Sequence, residues 1–139
     1  MVSVVTKNGK NAIIKRGFSN ESSFFSYMAV GVGASIPTED SVGLSSECTA
    51  QTHGNYSRVI LTTTFEESTK RAIATATFIK DSEGQTDGNI RNQTTLTEIG
   101  ITDTSNLQQN GNFWCICQIP ETPKNNAIEL KFTIVTTAV

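Results

Sequence analysis

The stretch NAIELKFTIVTT, residues 126–137, decides the fold. Ile128, Leu130, Phe132 and Ile134 fall on one face of an extended chain, and Glu129, Lys131 and Thr133 on the other. That period of two is the pattern of a half-buried strand. Working outward, KRAIATATFIK (70–80) alternates Ala72, Ala74, Ala76 and Phe78 with Ile73, Thr75, Thr77 and Ile79. In NYSRVILTTTF (55–65), Val59, Leu61 and Phe65 share a face. The polar EEST (66–69) between these two runs has the length and chemistry of a hairpin turn. SSFFSYMAVGV (22–32), TTLTEIGITD (94–103) and NFWCICQIP (112–120) supply further strands, the last ended by Pro120, whose missing N–H suits a strand end. DSEGQTDGN (81–89) and TSNLQQNGN (104–112) carry the Asp-Gly and Asn-Gly pairs of tight turns. About six strong strands at this spacing predict an all-β chain, an antiparallel β-sandwich of jelly-roll or immunoglobulin-like type. Its core is expected to take Val59, Leu61, Phe78, Leu130, Phe132 and Ile134.

Composition agrees. Roughly one residue in four is Ser or Thr, and β-branched side chains suit a pleated surface while losing freedom in a helix. A length of 139 residues is that of one domain, read as residues 1–139. The formal charge of -2 and the lack of any Lys/Arg-rich run argue against nucleic acid as a partner. No apolar run approaches the roughly 20 residues of a membrane-spanning helix, so no membrane insertion is expected. The start, MVSVVTKNGKNAIIKRGF, lacks the pattern of a secretory signal. It predicts a chain made and kept in a cytoplasm unless it leaves as part of an assembly.

One short N-terminal helix is expected in KNGKNAIIKRGF (7–18). Asn8 or Asn11 would cap it, Ile14 and Phe18 would lie on one face, Lys15 and Arg16 near its negative end, and Gly17 would stop it.

SYMAVGVGASIPTEDSVGLSSE (26–47) poses the question of a phosphate site. A P-loop needs a lysine after its last glycine and then a long helix, and neither follows Gly33. Pro37 and the acids beyond it would repel phosphate. Gly31 and Gly33 read instead as residues that end a strand sharply and let the chain cross to the next sheet.

Chemistry-bearing residues are few. Cys115 and Cys117 share a face of one strand and with Cys48 and His53 could form a Cys₃His zinc site, but a Cys-x-Cys pair in mid-strand more often serves as small apolar core. Three cysteines without a secretion signal do not build a disulfide framework. His53, the one histidine, stands five residues from Cys48 with no orienting acid, and reads as a solvated loop residue. Glu66 with Glu67, and Asp81 with Glu83, sit in turns beside Lys70 and Lys80 as a solvated surface arranges them. The sequons at Asn20, Asn55 and Asn92 are what an Asn- and Thr-rich chain yields by chance. No catalytic residue, metal or cofactor is therefore expected.

YMAVGVGASIPTEDSVGLSSE resembles a recurrent stretch in tail-fibre and tail-collar virion proteins of tailed bacteriophages. There an apolar strand runs into a Gly-x-Gly turn, a Pro, an acid, a Leu and a Glu. NGKNAIIKRGF is similar to the helix before that stretch. ATATFIK with LTEIGITD is similar to a sheet strand and the Glu-x-Gly strand after it, and NAIELKFTIVTT to the terminal alternating strand. The resemblance marks Gly31, Gly33, Pro37 and Gly100 as a structural turn motif. It implies a non-enzymatic, oligomeric structural module of a virion, most readily in the fibre, collar or baseplate region of the tail. The alternatives are a capsid decoration or head-fibre protein and a carbohydrate- or receptor-binding β-sandwich module. Partners would be other copies of itself, other virion proteins and, for the receptor-binding reading, a host surface glycan. Phe24 and Phe25 are candidate interface residues, because adjacent rings on an extended segment face opposite sides and one core takes only one of them.

Overall fold

The computed structural model describes residues 1–18, 24–80, 90–105 and 111–138. Among these, the elements run β1 (Ser3–Val5), α1 (Lys7–Phe18), β2 (Tyr27–Gly31), α2 (Ala50–His53), β3 (Val59–Ile60), β4 (Thr62–Glu66), β5 (Arg71–Phe78), β6 (Thr94–Thr102), β7 (Phe113–Lys124) and β8 (Leu130–Thr137). The chain is mostly β, as its alternation predicts. One sheet has five strands in the order β1-β7-β6-β2-β3, the other three in the order β4-β5-β8. Every pairing is antiparallel. The hairpin predicted at EEST joins β4 to β5, with Lys70 at a φ of 54° in its turn.

Both sheets feed one core. Met28, Val30, Leu96, Ile99, Ile101 and Cys115 come from the five-stranded sheet, and Ala74, Ala76, Phe78 and Ile134 from the other. Phe78 and Ile134 are buried as expected, while Val59, Leu61, Leu130 and Phe132 are partly buried against them. A second, smaller cluster of Ala29, Phe113 and Ile116, with Val4 and Leu44 against it, lies on the other face of the five-stranded sheet. That is why β2 and most of β6 are buried along nearly every residue. Strands covered on both faces lose alternation and read as continuous apolar runs.

Several expectations change. The 55–65 run is not one strand: β3 pairs with β2 and β4 with β5, and the chain passes between sheets at Leu61, whose N–H donates to the Ser26 carbonyl at 2.7 Å. Phe65 is 62% exposed. Pro120 does not end β7, which continues to Lys124. The β6–β7 register shifts between Leu96 and Glu98, so Pro120 sits where the ladder is already irregular and its missing N–H is tolerated. MVSVV contains β1, which the sequence reading did not count.

The helix is present but differently built. Thr6, not Asn8 or Asn11, caps it: its hydroxyl accepts from Gly9 N–H at 2.9 Å and donates to the Phe113 carbonyl. Gly17 does not stop it, since α1 runs to Phe18. Ile14 and Phe18 are exposed, and Gly9 and Ala12 are the buried residues. The backbones of α1 and β7 meet so closely that a Cβ at Gly9 would stand 2.7 Å from the Phe113 carbonyl oxygen and the Trp114 Cα. Small residues, rather than large apolar ones, therefore make this contact.

Candidate functional site

The motif glycines meet on the outer face of β2 and β6. Ala29 opposes Gly100 and Gly31 opposes Glu98. Beyond Gly31 the chain leaves and returns, and the Val32 N–H donates to the Ser46 carbonyl at 2.9 Å while the Cys48 N–H donates to the Val30 carbonyl at 3.0 Å. At the neck of this loop the buried Glu98 carboxylate accepts N–H bonds from Gly33, Ser45 and Ser46 at 2.9, 2.9 and 2.8 Å, and the Ser45 hydroxyl at 3.2 Å. On the β6 side the Thr97 hydroxyl donates to the Gly33 carbonyl at 2.6 Å. The glycines serve close approach. Neither Gly31 nor Gly33 has a left-handed backbone, but a Cβ at Gly31 would come 2.5 Å from Glu98 Oε2, and one at Gly33 would collide with Ser45 Oγ and the same carboxylate. Gly100 lies mid-strand, not in a turn, and a Cβ there would stand 2.8 Å from the Phe113 ring. Pro37 is buried within the loop. The motif glycines thus find their physical role in leaving room for a carboxylate and an aromatic ring against the sheet.

A second clasp adjoins the first. Arg58, whose side chain is fully buried, holds Glu47 through Nε at 2.9 Å and a terminal nitrogen at 2.8 Å, the bidentate geometry of a strong charge-assisted pair. Its other terminal nitrogen donates to the Thr104 carbonyl at 2.9 Å, and the guanidinium carbon lies 5.4 Å from the Phe113 ring centroid. Burial pulls the Arg58 pKa down, but the hydrogen bonds and charge of Glu47 outweigh it and leave the group more basic than usual. Tyr56 donates its hydroxyl to Glu47 at 2.6 Å and accepts the Val30 N–H at 3.2 Å. Burial, then the Glu47 charge, push its phenol well above the ordinary value. Burial, then Glu47 and Glu98, push the Cys48 thiol up to about 12.

A third tie fixes α1. Arg16 pairs with Asp103 at 2.8 Å and lies 4.4 Å above the Phe25 ring, which in turn stands 6.0 Å from the Trp114 ring. The two candidate interface rings thus separate: Phe25 is half-buried in its own chain, and Phe24 is 72% exposed. Trp114 packs partly inward, as its place in an apolar strand suggests, and its indole N–H donates to the Thr136 hydroxyl at 3.3 Å.

Cys48 and Cys115 are buried in the core, and Cys117 packs against it. Cys115 and Cys117 share a hydrogen bond that holds the proton on Cys115 and lowers Cys117. His53 ends the four-residue α2, where its Nδ1 accepts from Thr49 N–H at 2.9 Å. Glu66 pairs with Arg71 at 2.6 Å. Among the described residues no three of His, Cys, Asp and Glu gather closely enough to hold a metal, and no helix is long and apolar enough to cross a membrane. Asp81, Glu83, Asn20 and most of the TSNLQQNGN loop lie outside the described residues.

The sequence reading missed Glu98, Glu47, Arg58 and Tyr56. One signal was available for Glu98, an acid in the middle of the apolar run TTLTEIGIT; the clasp of Glu47 by Arg58 and Tyr56 leaves no periodic trace. No protein-family model, curated protein sequence or solved structure matches this chain.

Proposed function

We propose that the chain is a non-enzymatic structural component of a tailed-phage virion, a β-sandwich module placed in repeated copies in the fibre, collar or baseplate region of the tail. The observation that carries this reading is the convergence of the resembling motifs. The Gly-x-Gly stretch and the Glu-x-Gly stretch, about 65 residues apart, oppose each other through Gly31 and Glu98 and lock one loop to the sheet. The charged groups gathered there are consumed by internal hydrogen bonds, which suits a scaffold more than a reaction centre. The exposed Phe24, Phe65 and Phe18, the last 91% exposed, leave apolar surface for neighbouring copies. Cryo-electron microscopy of particles from cells producing this chain, with the chain labelled by a specific antibody, tests the proposal. Label on the tail is expected. Label on the head selects the decoration reading instead, and a chain absent from purified particles overturns both.

A further inference from the structure

β8 carries the longest free edge of the described strands. The five-stranded sheet ends in β1 and β3, of three and two residues, and the other sheet in β4, of five, and β8, of eight. Natural edges are usually protected by shortness, bulges, prolines or charge. β8 has few of these defences: its register with β5 is unbroken from Arg71–Thr137 to Phe78–Leu130, and its one charge, Lys131, lies near one end. The Ala138 N–H donates to the Lys70 carbonyl at 2.9 Å, which extends this register by one pair. Antiparallel residues alternate in the side to which they turn their backbone groups. Phe132, Ile134 and Thr136 thus face β5, and Lys131, Thr133, Val135 and Thr137 turn N–H and C=O outward. Beside this edge a cavity of about 430 Å³ opens toward the margin of the other sheet, lined by Val4, Ile99, Cys117, Ile119, Ile134 and Thr136 among others.

We infer that β8 pairs antiparallel with β8 of a second copy, about a two-fold axis at Ile134. The inference rests on the repeated-copy reading above and names its surface. Outward-turned residues must oppose one another, and a register centred on Ile134 sets Thr133 against Val135, Phe132 against Thr136 and Lys131 against Thr137 of the second copy. The two Lys131 side chains then stand six residues apart along the edge, roughly 20 Å. A register centred on Lys131 would oppose the two ammonium groups and shorten the pairing. The contact is self-complementary, as a two-fold interface requires, and lays a strand across the open side of the cavity.

Sedimentation and amide hydrogen exchange test this on the unaltered chain and on two double variants. The unaltered chain is expected to sediment as a dimer or an even multiple, with the amides of Thr133 and Val135 protected in a concentration-dependent way. Thr133→Lys with Val135→Lys places like charges opposite each other twice and should weaken association at least about tenfold. Thr133→Glu with Val135→Lys restores opposite charges at the same positions and should restore the mass. Oligomers that survive the first variant, or unprotected Thr133 and Val135 amides in an oligomer, overturn the β8 contact while leaving the virion reading standing. A chain that stays monomeric at high concentration and is absent from particles overturns both. Exchange on the unaltered chain decides the matter even if a variant fails to fold.

Discussion

The two sheets share a core and differ in what lies on their outer faces. Over the five-stranded sheet lie the 33–45 loop and the carboxylate clasps of Glu98 and Glu47. Over the three-stranded sheet the outer face shows Thr62, Thr64, Thr75, Thr133 and Val135, partly or largely open to solvent, with a free edge at either side. The first sheet spends its polar groups on holding its own loops in place. The second leaves threonines and unpaired backbone for something else to meet. On the β8 pairing proposed above, stability rests more on the first sheet and assembly on the second, and substitutions should separate them.

The largest effect is expected at Glu98. Glu98→Ala leaves the N–H groups of Gly33, Ser45 and Ser46 without their acceptor at a part-buried neck of the loop. Charge-assisted bonds of this kind, lost with donors that water can partly reach, cost about 2 to 4 kcal/mol together. Urea unfolding measures this, and a loss under about 1 kcal/mol would mean the loop does not depend on the carboxylate. Gly100→Ala comes next. Its methyl would meet the Phe113 ring and the Cys115 carbonyl at 2.8 and 2.9 Å, an overpacking that costs about 1 to 3 kcal/mol. Unchanged thermal stability in that variant would refute the close approach.

Alkaline pH probes the same side of the molecule. The Cys48 thiol, held at about 12 against an ordinary 9.0, keeps its proton in the folded chain where the unfolded chain has lost it. Between these values the folded state binds more protons, so this contribution is full below pH 9 and falls by about 1.4 kcal/mol for each unit of rising pH, up to 12. Tyr56, also raised, adds to the fall above its ordinary 10.0. Urea titrations from pH 8 to 11 should show the decline, and Cys48→Ala should make it shallower, with the raised Cys115 and Tyr56 still contributing. A stability independent of pH over that span would show that neither group is buried as described.

How much of this was legible in the sequence follows from the same division. β5 and β8 have one buried and one open face, so alternation in ATATF and LKFTIV marked strand, face and core residues directly. β2 and β6 are covered on both sides, and there the pattern gave strands without faces. The helix was placed but not its packing, because Gly9 and Ala12 make the contact and small residues carry no apolar signal. Glu98 and Arg58 left no periodic trace: a buried charge is explained by partners outside its own element, here 52 to 65 residues away for Glu98, and for Arg58 both Glu47, 11 residues away, and Thr104, 46 residues away. Glycines were noticed for their conformational freedom, whereas Gly31, Gly33 and Gly100 are needed for the room they leave.

The smallest effect is the most direct comparison of the sheets, one substitution made once in each. Thr97 in β6 donates its hydroxyl to the Gly33 carbonyl at 2.6 Å, and Val there leaves that carbonyl without its donor at the neck of the loop. A cost of about 1 kcal/mol is expected. Thr75 in β5 faces outward and its hydroxyl meets only that of Thr133 at 3.3 Å, an exposed contact for which water substitutes freely. Val is as good a strand residue as Thr on a pleated surface, so Thr75→Val should stay within about 0.5 kcal/mol of the unaltered chain. The difference between the two variants in urea unfolding is the quantity of interest, since composition and β-propensity cancel from it. Equal costs would mean that hydroxyls on the outer faces of the two sheets do the same work. In that case the five-stranded sheet's clasps would be incidental to stability, and the division between the sheets would fail.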